Sequence, residues 1–246
     1  MRLIASCTTI PPRIVDGSIF NFINSMLKQT LRPDLVYVII PHKWVRFPKF
    51  NYKEMLSKIE GYHPMVKVVR FAYDSPLIKH LGAYESENDK ETIQFIGDDD
   101  QCYHPLLLQR MMESYFDKEA VMQNRYHMVK TGSGGICHGF VGLMYKLKHL
   151  SGFFDKSFII PDKCWTDDQL MSIYFHKRGI RCIPSAIYDY SDIYSELEGW
   201  HEKLGGPDAL HKLGDRDAMV KELGSFYKVR FVNTHNHLGK GEIVDL

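Results

Sequence analysis

"LVYVII", residues 35–40, is apolar at every position. A strand with one face in water alternates apolar and polar residues, so an unbroken run suits a strand covered on both faces, as in a parallel sheet. The flanking segments keep the rhythm such a sheet requires. Upstream, Leu3 to Cys7 reads as strand, and Ile19, Phe22, Ile23, Met26 and Leu27 recur at the spacing of a helix buried on one face, with Ser18 placed to cap it. Downstream, Met55, Leu56 and Ile59 mark a short helix and Val66 to Phe71 a strand. Pro76 to Glu85 reads as a helix with proline at a tolerated early position, and Thr92 to Gly97 as the next strand. Pro105 to Asp117, Thr166 to Lys177 and Asp208 to Leu223 read as further helices. Phe140 to Leu147, Arg181 to Pro184 and Lys228 to Val232 read as strands. The alternation predicts an α/β chain folded as a single domain, a doubly wound and mostly parallel sheet flanked by helices on both faces.

The totals agree with that class and exclude others. The chain has 246 residues, 44% hydrophobic and 25% charged, which is ordinary for a soluble globular protein. The longest apolar runs fall short of the ~18 residues of a transmembrane helix, and the first seven residues are too short for a signal peptide, so the expected location is cytoplasmic. A net charge of +1 with both signs scattered leaves no electrostatic footprint for nucleic acid. The five cysteines, Cys7, Cys102, Cys137, Cys164 and Cys182, never form C-x-x-C, so free thiols are expected instead of a disulfide framework or a zinc ribbon.

In "FIGDDDQCYHP", residues 95–105, three aspartates follow a strand directly. Adjacent carboxylates repel and resist drying unless a cation or hydrogen-bond donors compensate. In open α/β sheets ligands bind beyond the carboxyl ends of the strands, where these aspartates fall. If the extended conformation persists past Gly97, Asp98 and Asp100 point the same way and Asp99 the other. Two converging carboxylates suit Mg²⁺ or Mn²⁺, which commonly binds one or two carboxylates together with substrate phosphates. The competing reading is an Asx turn or cap joining strand to helix.

At "TDDQLMSIYFHKRGI", 166–180, Thr166 and Gln169 have the spacing of a capping box, Asp167 and Asp168 sit in the first turn, and Gly179 closes the far end. Capping accounts for all of them, yet a carboxylate at the mouth of a sheet also suits a general base acting on a hydroxyl. The glycines of "TGSGGICHGFVG", 131–142, permit close backbone approach to a ligand without forming a dinucleotide or P-loop fingerprint. His235 and His237 of "NTHNH" are candidates to complete a metal shell, with surface or packing roles as the alternative.

With these motifs in order, the sequence resembles nucleotide-sugar-dependent glycosyltransferases of the GT-A fold, in particular the small bacterial and viral enzymes. "TTIPPRI" at 8–14 resembles the family's first strand-to-loop segment, "DSPLIKHLGA" at 74–83 its D-x-G-P-x-x-K-x-x-G-A segment, and the aspartates at 98–100 its metal-binding D-x-D. "TDDQLMSIYFHKRGI" resembles the acidic pair and helix after the acceptor region, although Asp-Asp replaces the commoner Glu-Asp and Ser75 stands where glycine is usual. The resemblance implies a nucleotide-binding part over about 1–125 and an acceptor-side part over about 126–246. It implies that Asp98 and Asp100 hold Mn²⁺ or Mg²⁺ and the diphosphate, that Asp99 lies nearer the ribose and Lys79 near the phosphates, and that Thr8, Thr9, Arg13 and Asp74 surround the nucleoside. Asp168, or its neighbour Asp167, is then the base of an inverting enzyme. The donor expected is a nucleoside diphosphate sugar, UDP-linked first and GDP-linked next, and the acceptor a glycan or other hydroxyl. The readings set against this are a metal-dependent nucleotidyltransferase or phosphohydrolase, and a non-catalytic nucleotide-sugar-binding module of the same fold.

Overall fold

Four strands, β1 (Leu3–Thr8), β2 (Leu35–Pro41), β3 (Val66–Phe71) and β4 (Ile93–Ile96), run parallel in the computed structural model. The structure describes residues 1–115, 119–123, 136–139, 142–154, 158, 166–185, 187, 216–232 and 242–246. With β5 (Val121–Gln123), β6 (Leu143–Lys146) and β7 (Cys182–Pro184) they form a seven-stranded sheet of order β3-β2-β1-β4-β6-β5-β7. β6 runs antiparallel to both of its neighbours, and β5 and β7 pair in parallel. β8 (Val229–Val232) and β9 (Glu242–Asp245) make a separate antiparallel pair.

The helices in chain order are α1 (Pro11–Val15), α2 (Ser18–Leu27), α3 (Tyr52–Ile59), α4 (Ile78–Ser86), α5 (Leu107–Glu113), α6 (Ser151–Phe154), α7 (Asp167–Lys177) and α8 (Arg216–Tyr227). The all-apolar run in β2 divides between two cores. Val36, Val38 and Ile40 join Ala5, Cys7 and Phe95 against the apolar faces of α2, α3 and α5. Tyr37 and Ile39 join Ile4 and Ile96 against Ile78 and Leu81 of α4 and Leu170 and Ile173 of α7. Each such side chain, fully buried, contributes about 1.5–3 kcal/mol, which is why no polar residue interrupts the strand.

Several local expectations shift. Ser18 lies inside α2 and does not cap it; Asp16 accepts from its backbone N–H at 2.8 Å and its hydroxyl at 2.6 Å, while Gly17 at φ 86° turns the chain. α4 starts at Ile78, two residues after Pro76, because the Ser75 hydroxyl takes the Leu77 N–H at 3.2 Å. α1, begun by Pro11 and Pro12 in the first turn where their missing N–H groups cost nothing, falls in a segment read as loop. The short β5 and β9 were also not anticipated; of the helix expected over Asp208 to Leu223, residues 208–215 lie outside the described residues, and α8 runs on to Tyr227.

At the end of the sheet opposite the aspartates, Glu87 ties three elements together. Arg2 donates to both its carboxylate oxygens at 2.9 Å, and the Tyr37 hydroxyl donates to one at 2.6 Å. Burial pushes the Glu87 carboxyl up, but the hydrogen bonds from Arg2 and Tyr37 outweigh it and hold it below the ordinary glutamate range. A carboxylate more acidic in the folded chain adds stability above its unfolded pKa, which is lost as pH falls through the folded value. Glu87→Gln is therefore expected to lower stability at pH 7 by about 1–2 kcal/mol, the exposed half of Arg2 being screened by water. The loss shrinks as pH falls from the ordinary glutamate range through the lower value of the folded chain. Urea unfolding of both proteins at pH 7 and pH 3.5 measures it, and an equal deficit at the two pH values would contradict the charge-based account.

Candidate functional site

β1 and β4 adjoin in the sheet, and the connections leave them in opposite directions, so their carboxyl ends border the crevice where such folds bind ligands. Thr8–Arg13 leaves the first and Asp98–Asp100 the second. The strand stops at Ile96, and a turn closed by the Gln101 N–H on the Asp98 carbonyl at 3.2 Å replaces the expected extended run. Alternation therefore fails. Asp99 and Asp100 both meet the Arg13 guanidinium, Asp100 through Nη2 at 2.8 Å, while Asp98 meets Lys79 Nζ at 2.6 Å. Arg13 thus stands against the aspartates, in the segment expected beside the nucleoside.

Lys79 belongs to the first turn of α4, and its backbone is fixed from the sheet. The Ser6 hydroxyl of β1 donates to the Lys79 carbonyl at 2.6 Å, and Gln94 Nε2 of β4 donates to the same carbonyl at 3.1 Å and to Ser6 at 2.7 Å. Its ammonium, 4% exposed, bridges Asp98 to Asp167 Oδ2 at 2.9 Å. Burial pulls the Lys79 pKa down, but Asp167, Asp98 and Asp168 raise it well above the ordinary value, so the residue is charged.

The capping box at the start of α7 does not form. Thr166 makes no side-chain cap, and its hydroxyl and both polar atoms of Gln169 are buried without a hydrogen bond. Gly179 closes the other end at φ 66°. Asp167 and Asp168 turn their carboxylates into the crevice. Asp168 Oδ1 accepts from the Gly139 N–H at 2.8 Å and Oδ2 lies 3.5 Å from His138 Nδ1. His80 Nε2 lies 3.6 Å from Asp167 Oδ2, with Nδ1 2.8 Å from the Tyr145 hydroxyl. Burial keeps His80 below its ordinary pKa, hence neutral at pH 7.

A Cβ on Gly139 would sit 2.8 Å from Lys79 Nζ and 3.4 Å from Asp168 Oδ1, so only glycine lets this backbone approach both groups. His80, His138, Tyr145 and the Ser6–Gln94 clamp were not read as site residues from the sequence. Only the glycines of 131–142 signalled close approach there. Gly132, Gly134 and Gly135 of that stretch, Cys164, Trp165, His235 and His237 lie outside the described residues.

Five carboxylates, Asp98, Asp99, Asp100, Asp167 and Asp168, thus share two cations, Arg13 and Lys79, with His80 neutral. Burial, with help from Asp100 and Asp167, pushes the Asp98 carboxyl up to about 7 against the pull of Lys79. Burial raises Asp167 and Lys79 lowers it, leaving it well below the ordinary range. Burial and Asp167 raise Asp168, His138 and Lys79 lower it, and the net is also downward. Among the described residues no three carboxylate, imidazole or thiol groups gather into a metal shell, and Asp98 and Asp100 turn to different cations; they keep 32% and 20% of their side-chain surface open, and one or two carboxylates are what Mg²⁺ or Mn²⁺ commonly takes from a protein when substrate phosphates supply the rest.

In the segment expected beside the nucleoside, Thr9 is buried with its hydroxyl unpartnered among the described residues, and the Trp44 indole donates to its carbonyl at 3.1 Å. Asp74 accepts from the Val45 N–H at 2.7 Å and so orders the loop after β2. Thr8 is half-buried at the end of β1. Beside that loop a groove of about 440 Å³ is walled by Trp44, Phe47, Tyr52 and Arg70. Among the described residues no helix is long and apolar enough to cross a membrane.

No protein family matches the chain, and no curated protein matches its sequence. Solved structures do. A mannosyltransferase from Pyrobaculum calidifontis, solved with GDP-Man and Mn²⁺, superposes with a TM-score of 0.54 at 15% identity over 74% of this chain and 54% of its own. TarS 1–349 from S. aureus superposes with a TM-score of 0.53 at 14% identity over 81% of this chain and 61% of its own. The chain spans little more than half the length of either protein, and at such identities the likeness concerns the fold. That fold is the GT-A arrangement of a mostly parallel α/β sheet, in a single domain.

Proposed function

We propose that the chain is a metal-dependent glycosyltransferase that moves a sugar from a nucleoside diphosphate sugar, UDP-linked first and GDP-linked next, to an acceptor hydroxyl with inversion. The observation that carries this reading is the carboxylate surplus at the sheet's crevice, with Asp98–Asp100 on one wall and Asp167 and Asp168 on the other. In this reading residues 1–125 bind the nucleotide and 126–246 the acceptor. Thr8, Thr9 and Asp74 surround the nucleoside, and Arg13, with Asp99, orients the ribose and diphosphate. Asp98 and Asp100 hold Mn²⁺ or Mg²⁺. A divalent cation there neutralises charge that builds on the departing diphosphate.

The two acids of α7 then differ in role. Both are ionised, but Asp167 is paired with the Lys79 ammonium, whereas Asp168 is held by one backbone N–H and faced by a histidine. Asp168 takes the proton from the acceptor hydroxyl as the oxygen attacks the anomeric carbon, a contribution of typically 10²–10⁴-fold. Lys79 keeps Asp98 and Asp167 at a fixed spacing, so donor and acceptor meet without rearrangement of the walls.

Thermal denaturation with UDP and GDP, each with Mn²⁺ or with EDTA, tests the donor half. At about 100 times its Kd a ligand stabilises the fold by about 2.7 kcal/mol, and that gain should require Mn²⁺ and vanish in Asp100→Ala. Equal stabilisation in EDTA would refute the metal site. For the other half, Asp168→Asn should lose transfer of a labelled sugar by about 10²–10⁴-fold while keeping Mn²⁺-dependent stabilisation. Unchanged turnover would reduce Asp168 to a brace for Gly139. Release of free sugar or sugar phosphate in place of a glycosylated acceptor would favour hydrolysis.

A further inference from the structure

The sulfurs of Cys137 and Cys182 lie 3.7 Å apart. Cys137 is fully buried, while Cys182, on the edge strand β7, is partly exposed. Cys137 is wired to the acid pair. Its N–H donates to the Ser172 hydroxyl at 2.8 Å, and that hydroxyl donates to the Asp168 carbonyl at 2.6 Å. The two residues after it, His138 and Gly139, face and hold the Asp168 carboxylate. Gln123 of β5 clamps the residues on either side, donating to the Ile136 carbonyl at 3.0 Å and accepting from the His138 N–H at 3.2 Å. β5 is in turn the strand that pairs with β7, Val121 opposite Cys182.

We propose that Cys137 and Cys182 form a dithiol site, oxidised to a disulfide by a low-molecular-weight disulfide such as oxidised glutathione, and that closing it displaces Asp168. The part concerning Asp168 rests on the glycosyl-transfer reading; the thiol chemistry does not. Cys182, the accessible thiol, attacks as thiolate on one glutathione sulfur and expels the other as glutathione thiolate, giving a mixed disulfide. Cys137, whose thiol the Cys182 sulfur and burial keep protonated, then attacks Cys182 Sγ as its proton passes to the departing sulfur, forming the internal S–S bond and expelling the second glutathione as thiol. Two protein thiols are oxidised, one glutathione disulfide is reduced to two glutathione thiols, and the two protons end on those thiols. Because a disulfide needs about 2.05 Å between sulfurs, closure draws them together by about 1.7 Å. That movement is transmitted through Ser172, His138 and Gly139 to a carboxylate for which a displacement near 1 Å costs about 100-fold in rate.

Incubation of the full chain with oxidised glutathione, followed by alkylation and peptide mass mapping, tests the site. The expected product is a native-fold chain with a 137–182 cross-linked peptide, reversed by dithiothreitol and absent in Cys182→Ser. Cys137→Ala serves as the second control if that variant fails to fold. Sugar transfer should fall about 100-fold in the cross-linked chain and return on reduction. Alkylation of both thiols, or a glutathione adduct on Cys182 with no internal cross-link, would overturn the dithiol site and leave only an S–H contact. A cross-linked chain with undiminished transfer would overturn the coupling to Asp168. Should no donor support transfer in the reduced wild type, the peptide map alone decides the dithiol, so the two readings fail separately.

Discussion

The buried ammonium of Lys79, bridging Asp98 and Asp167, is the contact on which the site's geometry depends. An ammonium taken out of water costs several kcal/mol unless carboxylates and good geometry offset it, and removing one partner of such a group costs about 3–5 kcal/mol. The fold must therefore bring β4, α4 and α7 to one point. It does so by holding the Lys79 backbone as well as its tip, since Ser6 and Gln94 bond its carbonyl from two adjacent strands. Gly139 completes the enclosure by leaving empty the space a side chain would take from the ammonium.

Once Lys79 is in place, two adjacent acids in one helical turn become chemically different. Asp167 faces the ammonium directly; Asp168 is turned towards a backbone N–H and His138. Neighbouring residues on a helix point about 100° apart, so a single turn supplies two carboxylates to two separate partners. The same separation occurs on the other wall, where the turn after β4 sends Asp98 to Lys79 and its two successors to Arg13.

The fold was legible where a pattern is local and repeated. The unbroken run of β2, the helical stripe of α2 and the aspartates directly behind β4 each follow from spacing, and together they imply a doubly wound sheet with a site at its carboxyl edge. What was not legible depends on contacts far apart in the chain. Nothing near Thr166 and Gln169 reveals that their side chains will be buried without forming the capping box their spacing suggests. The turn after β4 is by contrast local, closed by the Gln101 N–H on the Asp98 carbonyl and by the Tyr103 hydroxyl, which accepts from the Asp98 N–H at 3.0 Å, and a turn is the competing reading of that stretch. The three residues of β5 are too few to carry a period. His138 became a site residue only when Gln123 and Asp168, respectively 15 residues before and 30 after it, closed around its segment.

The polar atoms left over point in the same direction as the charges. Among the described residues Thr9 Oγ1, Asp99 Oδ2 and His80 Nε2 are buried without a hydrogen bond, and all belong to the crevice. A buried polar atom without a partner costs about 1–3 kcal/mol, so such a cluster is poor design for stability alone. Packing does not require it, since the two apolar cores are filled independently by the faces of β1, β2 and β4. A site that binds a charged, oxygen-rich ligand does require it, because the donors and acceptors that will meet the ligand must stand ready before it arrives. The GT-A fold by itself hosts more than one chemistry. The concentration of carboxylates and unpartnered polar atoms at the sheet's switch point is what supports the proposed reading over the fold's other chemistries.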